Sequence, residues 1–399
     1  MLAVAPILPC VMAADDSRES DAVTTEAHAA TLDRSSASTA YRLLWLAVIF
    51  DVLAFGVGFG WDRRWHETHP FEDFFSPPHL FLYSMHFLAT LTLTAITFDD
   101  RWRAHFGRAF RLFPFPFPVP GAIAIAGGGF VVTALAGVFD AMWHTQFGLD
   151  ETAWSFPHSM LGWGIFVAFV GIVACRVALA ERFPIGWPSA LVFGFLLIAA
   201  SIERIPGPFL NNITIADLEV IRRIPVLAIE PAFQHTIRIY EAYDITRLSV
   251  LFVPLAAAGA GLGIRLAQRL DPRPAVLIPL TGLVSFTAPL VPYVVPGAIF
   301  AVAGRRMTSW RWLAAAGLAF GLVAAFLSVA VAKGDVGFPI FSALVAMPAF
   351  ALGAWLADTV WTVVADPQRG RVLAFVSLAG ICAPALTGAL DLYLRARTP

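Results

Sequence analysis

Apolar runs fill most of the chain, separated by short polar stretches. A helix that crosses the hydrocarbon layer needs about 20 apolar residues. Ten stretches reach or approach that length: 41–60, 77–98, 119–139, 157–179, 187–202, 248–267, 275–303, 312–332, 337–357 and 371–393. The pattern predicts an all-α fold, a polytopic transmembrane helix bundle of about ten spans. The stretch 275–303 holds Pro279, Pro289, Pro292 and Pro296. It reads either as one kinked helix or as a broken pair, and the choice reverses the orientation of everything after it. Residues 14–39 are rich in Ser, Thr, Ala and Asp and read as a disordered tail. The first 13 residues are apolar, but no Lys or Arg precedes them, so they fit a signal peptide or a misplaced start equally well. Three regions follow: a tail or targeting segment at 1–39, a four-helix region at 40–185, and further transmembrane helices at 186–399 with an outer loop at 203–247.

Basic residues set the expected orientation. Arg101, Arg103, Arg108 and Arg111 lie between the second and third stretches, Arg176 and Arg182 after the fourth, and Arg265, Arg269 and Arg273 after the sixth. These segments read as cytoplasmic. The 140–156 connection has no Lys or Arg, and 61–76 has only Arg63 and Arg64, so both read as extracytoplasmic. The loop 203–247 falls on that side too. It mixes Glu203, Asp217, Glu219, Glu230, Glu241 and Asp244 with Arg204, Arg222, Arg223, Arg238 and Arg247. Ala216–Arg223 reads as a short helix, and the loop as a solvated cap or a lid over the first four helices.

Composition agrees with the pattern. The chain has 399 residues, 58% of them hydrophobic and 14% charged, where soluble domains carry about 25% charged residues. A net charge of -1 gives no footprint for nucleic acid. Cys10, Cys175 and Cys382 are isolated, so neither a disulfide framework nor a thiolate metal site is indicated.

The chemistry lies in a repeat. One hairpin reads Asp62-Arg-Arg-Trp65-His66, then Glu72, then Ser76-Pro77-Pro78-His79. The next reads Asp140-Ala-Met-Trp143-His144, then Glu151, then Ser155-Phe156-Pro157-His158. The patterns are D-x3-H-x12-H and D-x3-H-x13-H. Asp and His four apart share a helix face, and the last His opens the next helix just after a proline that suits its first turn. Each hairpin can therefore bring one carboxylate and two imidazoles together: Asp62, His66 and His79, and Asp140, His144 and His158. Glu72 and Glu151 each lie seven residues before the last His and are candidates to orient an imidazole through its other N–H. The bland reading is that interfacial His and Trp are ordinary belt residues. Two matched copies in a chain with only nine histidines favour metal.

The remaining histidines carry less. His86 lies seven residues past His79 on the same face, as an extra ligand or, better, as a hydrogen-bonded packing residue. His235 follows Glu230 in the outer loop and is the other candidate extra ligand. His105 sits among cytoplasmic arginines and reads as solvated, His69 lies in a loop, and His28 in the tail.

Two imidazoles and one carboxylate leave coordination positions open. That set suits non-haem iron, Cu(II) or Zn(II), and the ligands alone do not choose between iron and copper. The repeat resembles the one found in the copper-containing membrane monooxygenases, the particulate methane and ammonia monooxygenase family, in the membrane chain that bears this doubled motif. That family has D-x3-H-x12-H at a first site and N-x3-H-x13-H at a second, with a Trp before the His and a Pro before the last His of the first site. By resemblance, Asp62, His66 and His79 correspond to the first copper site, and Asp140, His144 and His158 to the second. Acids matching Glu72 and Glu151 recur there too. This chain departs from the pattern in having Asp140 where the family has Asn, which makes the second site more anionic. The resemblance covers roughly residues 41–180, and the later helices lie outside it, so the chain reads as a distant or elaborated relative.

The resulting expectation is a membrane-bound copper, alternatively iron, oxidoreductase of the inner bacterial membrane. Its metal sites lie near the extracytoplasmic face and carry out O2-dependent monooxygenation of a small apolar or amine substrate. Phe74, Phe75, Trp154 and Phe156 are candidate pocket walls. Partners would be the lipid bilayer, O2, the small-molecule substrate and, by resemblance, further monooxygenase-type subunits. Two rivals stand beside it: a non-catalytic metal-handling protein, which should show ligands stepping through mid-span, and a transporter or structural membrane component. The Gly- and Pro-interrupted second half supports the latter, although Asp358 and Asp391 are its few intramembrane charges.

Overall fold

A computed structural model describes residues 16–66, 75–147, 155–204, 245–287, 294–304, 309–332 and 337–397. Side chains are described from Asp33 onward over most of these ranges, and those of His66 and His144 lie outside them. The described chain is almost entirely helical. Helix α1 (Asp16–Val52) passes through a π-helical turn (Leu53–Gly58) into α2 (Phe59–His66). Then come α3 (Pro77–Phe98), the short α4 (Asp100–Arg103), a two-stranded antiparallel ribbon of β1 (Ala109–Arg111) and β2 (Pro118–Pro120), α5 (Gly121–Phe147), α6 (Phe156–Ala178) and α7 (Trp187–Arg204). After the outer-loop region come α8 (Ile245–Leu270), α9 (Pro274–Thr287), α10 (Val294–Ala303), α11 (Trp310–Ala332) and α12 (Gly337–Ala365). The chain ends in α13 (Arg369–Ser377), a second π turn (Leu378–Cys382) and α14 (Ala383–Arg397).

Among the described residues, six helical stretches are long and apolar enough to cross a membrane: Asp33–Asp62, Pro77–Phe98, Gly121–Trp143, Phe156–Ala178, Ala343–Ala365 and Arg369–Ala389. The chain is an integral membrane protein with an all-α bundle. Shorter apolar helices cover Trp187–Ile202, Pro274–Val284, Val294–Ala303 and Trp310–Val323. The proline-rich stretch 275–303 forms two helices, α9 and α10, with residues 288–293 between them outside the described residues.

Two apolar cores hold the bundle. The first joins Leu44 and Val48 of α1, Leu93 and Ile96 of α3, Phe130 of α5, Phe166 and Val170 of α6 and Phe193 of α7. It also takes Val363 and Val364 of α12 and Val372 of α13, so the last helices return to the first four. The second core gathers Ile198 of α7, Ala257 and Ile264 of α8, Leu280 of α9, Phe300 of α10, Phe320 of α11 and Phe350 of α12. Within it Arg265 is buried, and it donates to Asp358 from Nε at 3.0 Å and Nη2 at 3.2 Å, while Arg269 Nε donates to the same carboxylate at 2.8 Å. A charged group this far from water needs such pairing.

Two expectations change at the arginine-rich end. The polar stretch 14–39 is not a free tail throughout: α1 begins at Asp16, and Ala37 and Ala40 are buried. His105 is not solvated. Its side chain is 5% exposed, and its Nε2 meets Ser36 Oγ at 2.8 Å. Both differences have one cause, the extension of α1 across this end, where Asp33 also accepts from Arg182 Nη1 at 2.7 Å. Arg176, likewise read as facing the cytoplasm, is buried, with Nε donating to Ser189 at 3.2 Å and Nη2 to the Pro184 carbonyl at 3.0 Å.

Burial holds the His105 imidazole below its ordinary value of 6.5; Arg182 adds to this and Asp33 opposes it. The folded state therefore favours the neutral ring. That contribution to stability is complete above pH about 6.5 and is lost as pH falls through the depressed folded value. Acidification from about pH 7 to about pH 5 is expected to loosen this end. Proteolysis near Asp33 should increase with acid in the wild type, and His105→Phe should remove that dependence. Identical cleavage profiles in the two proteins would refute the assignment.

Candidate metal centre

Helices α5 and α6 are an antiparallel pair whose closest approach is set by small residues. A Cβ at Gly171 would overlap the Ala126 backbone, one at Gly129 the Ala168 backbone, and one at Gly164 the Thr133 backbone and side chain. The matched positions run 126 with 171, 129 with 168 and 133 with 164, so the two helices keep step. Seven residues further toward the other end, the same step brings Asp140 opposite Pro157, beside His158. Ser155 caps α6, with its Oγ accepting from the His158 backbone N–H, and Pro157 sits in the first turn.

The first hairpin is built alike. Pro77 opens α3 with Ser76 as N-cap, and His79 follows in the first turn. Asp62 lies in the first turn of α2. The π turn between α1 and α2 spends more residues per turn than an α-helix, which sets the phase at which Asp62 meets α3. Gly58, at its end, packs where a Cβ would meet Leu82 and Phe81 at 3.2–3.3 Å.

The four ends meet. Asp62, His79, Asp140 and His158 line one cavity with Phe59, Leu82, Tyr83, Ala136, Gly137, Pro157 and Leu161. Its volume is about 30 Å³, room for about two water-sized particles. His79 Nε2 lies 3.0 Å from Asp62 Oδ1, and both side chains are 15% exposed. That is a hydrogen-bond length. It is equally the separation of two donor atoms each about 2.1 Å from one ion at a right angle. Asp140 is buried. His158 Nδ1 is 3.2 Å from Ser155 Oγ; when Nδ1 donates there, Nε2 keeps the lone pair that a metal ligand needs. The donor set of two carboxylates and two imidazoles in a cavity of ion size fits a divalent transition metal.

The two halves of the repeat thus share a pocket. His66 ends α2 and His144 lies in α5, but their side chains are outside the described residues, as are Glu72, Glu151, His235, Phe74 and Trp154. Among the described residues, no group of three or more His, Cys, Asp and Glu is arranged to hold an ion. Phe75 is 68% exposed, and Phe156 packs on Phe139 at 5.8 Å between ring centroids. The apolar walls are instead Phe59, Leu82 and Leu161. His86 is not a pocket residue. It is buried deeper along α3, hydrogen-bonded to Asp51, which is the packing alternative read for it. Asp51 was legible only as an acid inside the apolar run Val48-Ile-Phe-Asp-Val-Leu53, and the pattern gave it no partner. Ser155, quoted in the motif without a role, holds the His158 ring.

No family model matches this chain, and no curated protein and no solved structure matches it.

Proposed function

We propose that the shared pocket is a redox-metal centre, copper ahead of iron, and that the protein is a membrane-bound oxidoreductase carrying out O2-dependent monooxygenation of a small apolar or amine substrate. The observation that carries this reading is the convergence of Asp62, His79, Asp140 and His158 on one cavity of ion size. Copper stands ahead of iron through the resemblance to the copper monooxygenases, since the ligand types suit both. A bound copper or iron would supply one-electron chemistry and open coordination positions. The chain's own part is to hold and shield. The carboxylates of Asp62 and Asp140 offset the charge of the ion. Ser155 turns the His158 ring so that one nitrogen faces inward. Phe59, Leu82 and Leu161 keep the pocket apolar and exclude water, which favours a small apolar substrate arriving from the lipid or from the outer side.

One observation supports a second reading. The Asp51–His86 pair lies mid-span beneath the pocket, where a metal-handling protein would keep a second polar station. Metal analysis of the purified protein, with electron paramagnetic resonance of its oxidised form, tests the first reading: about one to two copper or iron per chain is expected. Protein that takes up neither metal on reconstitution overturns it. Uptake of copper into sealed vesicles with no O2 consumption on any small hydrocarbon or amine would favour the second.

A further inference from the structure

One heptad below His79, on the same face of α3, lies a second acid–imidazole pair. His86 Nδ1 is 3.0 Å from Asp51 Oδ1, the same separation as in the Asp62–His79 pair. The side chains are 7% and 1% exposed. Seven residues of helix place the pair about 10 Å deeper than the pocket. Its surroundings are aromatic: Phe55 and Phe130 face the His86 ring at 5.3 and 4.8 Å between centroids, and Phe169 meets Phe55 edge-on. Among the described residues, Asp51 is the one ionisable group in contact with His86, and His86 with Asp51. Asp51 Oδ2 and His86 Nε2 are both buried with no hydrogen-bond partner among those residues. The pair therefore spends more polar capacity in the membrane than packing requires.

The charge count gives it a job. A carboxylate beside a neutral imidazole carries one net negative charge, which is expensive in an apolar interior. One added proton makes the pair neutral, whichever of the two groups holds it. A divalent cation about 10 Å away through apolar protein reverses that preference, because charges act several-fold more strongly there than in water. Tyr83 stands between the two stations. It lies four residues after His79 and three before His86 on the shared face, lines the pocket and holds its ring 5.8 Å from that of His79.

We propose that Asp51 and His86 hold one proton between them and release it to the water of the pocket when a divalent cation binds there, so that cation occupancy and proton movement are linked. The inference rests on the metal reading of the pocket. In charge balance, one divalent ion enters, one proton leaves the buried pair for water, and no bond beyond the O–H or N–H is broken.

Titration calorimetry with Zn(II), which is redox-inert, in buffers of different ionisation enthalpy counts the protons released per ion. The double variant Asp51→Asn/His86→Gln keeps two polar side chains of similar shape but no titratable group. It is expected to release about one proton fewer per Zn(II) than the wild type while still binding the ion. An unchanged count in folded double variant overturns the inference and leaves the metal reading standing. No Zn(II) or Cu(II) binding by the wild type overturns both. A readout without substitution covers a variant that fails to fold. Infrared difference spectra of the wild type, ion-free minus ion-loaded, should contain a carboxyl or imidazolium band that resists rapid exchange with D2O. A spectrum with only rapidly exchanging bands refutes the proposal.

Discussion

Alanine at both His79 and His158 is expected to lower the Cu(II) affinity of the purified protein by roughly 1,000-fold or more, and either substitution alone by roughly 100-fold, because groups that merely orient a ligand already cost about 10–100-fold. The reasoning begins with the cavity. His79 comes from the first hairpin and His158 from the second, yet both line the same 30 Å³ space. A shared centre loses affinity whichever imidazole is removed. Two separate three-ligand sites would respond differently: His79→Ala would halve the copper content and leave the surviving site at full affinity. Competitive titration against a chelator, with metal counted per chain, separates the two patterns. Full affinity in both single variants would remove His79 and His158 from the ligand set and with them the metal reading. The same titration tests the carboxylates. Asp140 is the more buried of the two acids, so its removal leaves the less compensated positive charge and Asp140→Asn should weaken binding more than Asp62→Asn.

The repeat made the pocket legible because spacing alone carries so much in a helix. Asp62 and Asp140 mark helix ends, and Pro77 and Pro157 mark helix starts, so a hairpin with both must bring carboxylate and imidazole to one end of the bundle. The convergence of two hairpins was not legible in that way. It follows from the α5–α6 step and from the meeting of α2 with α3, and tertiary packing leaves no periodic trace in the chain. Asp51 shows the same limit. An acid inside an apolar run announces that it has a partner, but neither its distance in sequence from His86 nor any motif names that partner. His105 was misread for a different reason. Its neighbours in sequence are charged, and the helix that buries it comes from the Ser/Thr-rich segment at the N-terminal end, whose composition suggested disorder. Prolines were informative about the break between α9 and α10 and silent about how the last helices return to α5 and α6. There Gly128 lies where a Cβ would press on Val376, and Gly388 where one would press on Phe156.

The pocket depends on how closely α5 and α6 approach, and Gly171 is the position at which that dependence is greatest. A Cβ there would overlap the Ala126 backbone nitrogen and Cα, atoms that cannot swing aside as a side chain can. Small residues let transmembrane helices pack this closely, since no hydrophobic force between helices drives them together in lipid. Gly171→Leu must therefore either separate the helices or break their register. The expected loss is at least about 3 kcal/mol, the upper range for overpacking a well-packed core. The consequence reaches the site. Asp140 and His158 stand at the far end of the same pair, and a change in crossing geometry moves them apart, so Cu(II) affinity should fall even in the fraction that remains folded. Gly127 is the control. It lies in the same helix, but a Cβ there meets nothing within 4 Å, and Gly127→Ala should gain about 0.5–1 kcal/mol from the removal of a helix-interior glycine. Thermal unfolding in detergent, read together with metal affinity, measures both. A Gly171→Leu protein with wild-type stability and wild-type copper affinity would mean that α5 and α6 are not in the close contact on which the pocket is built.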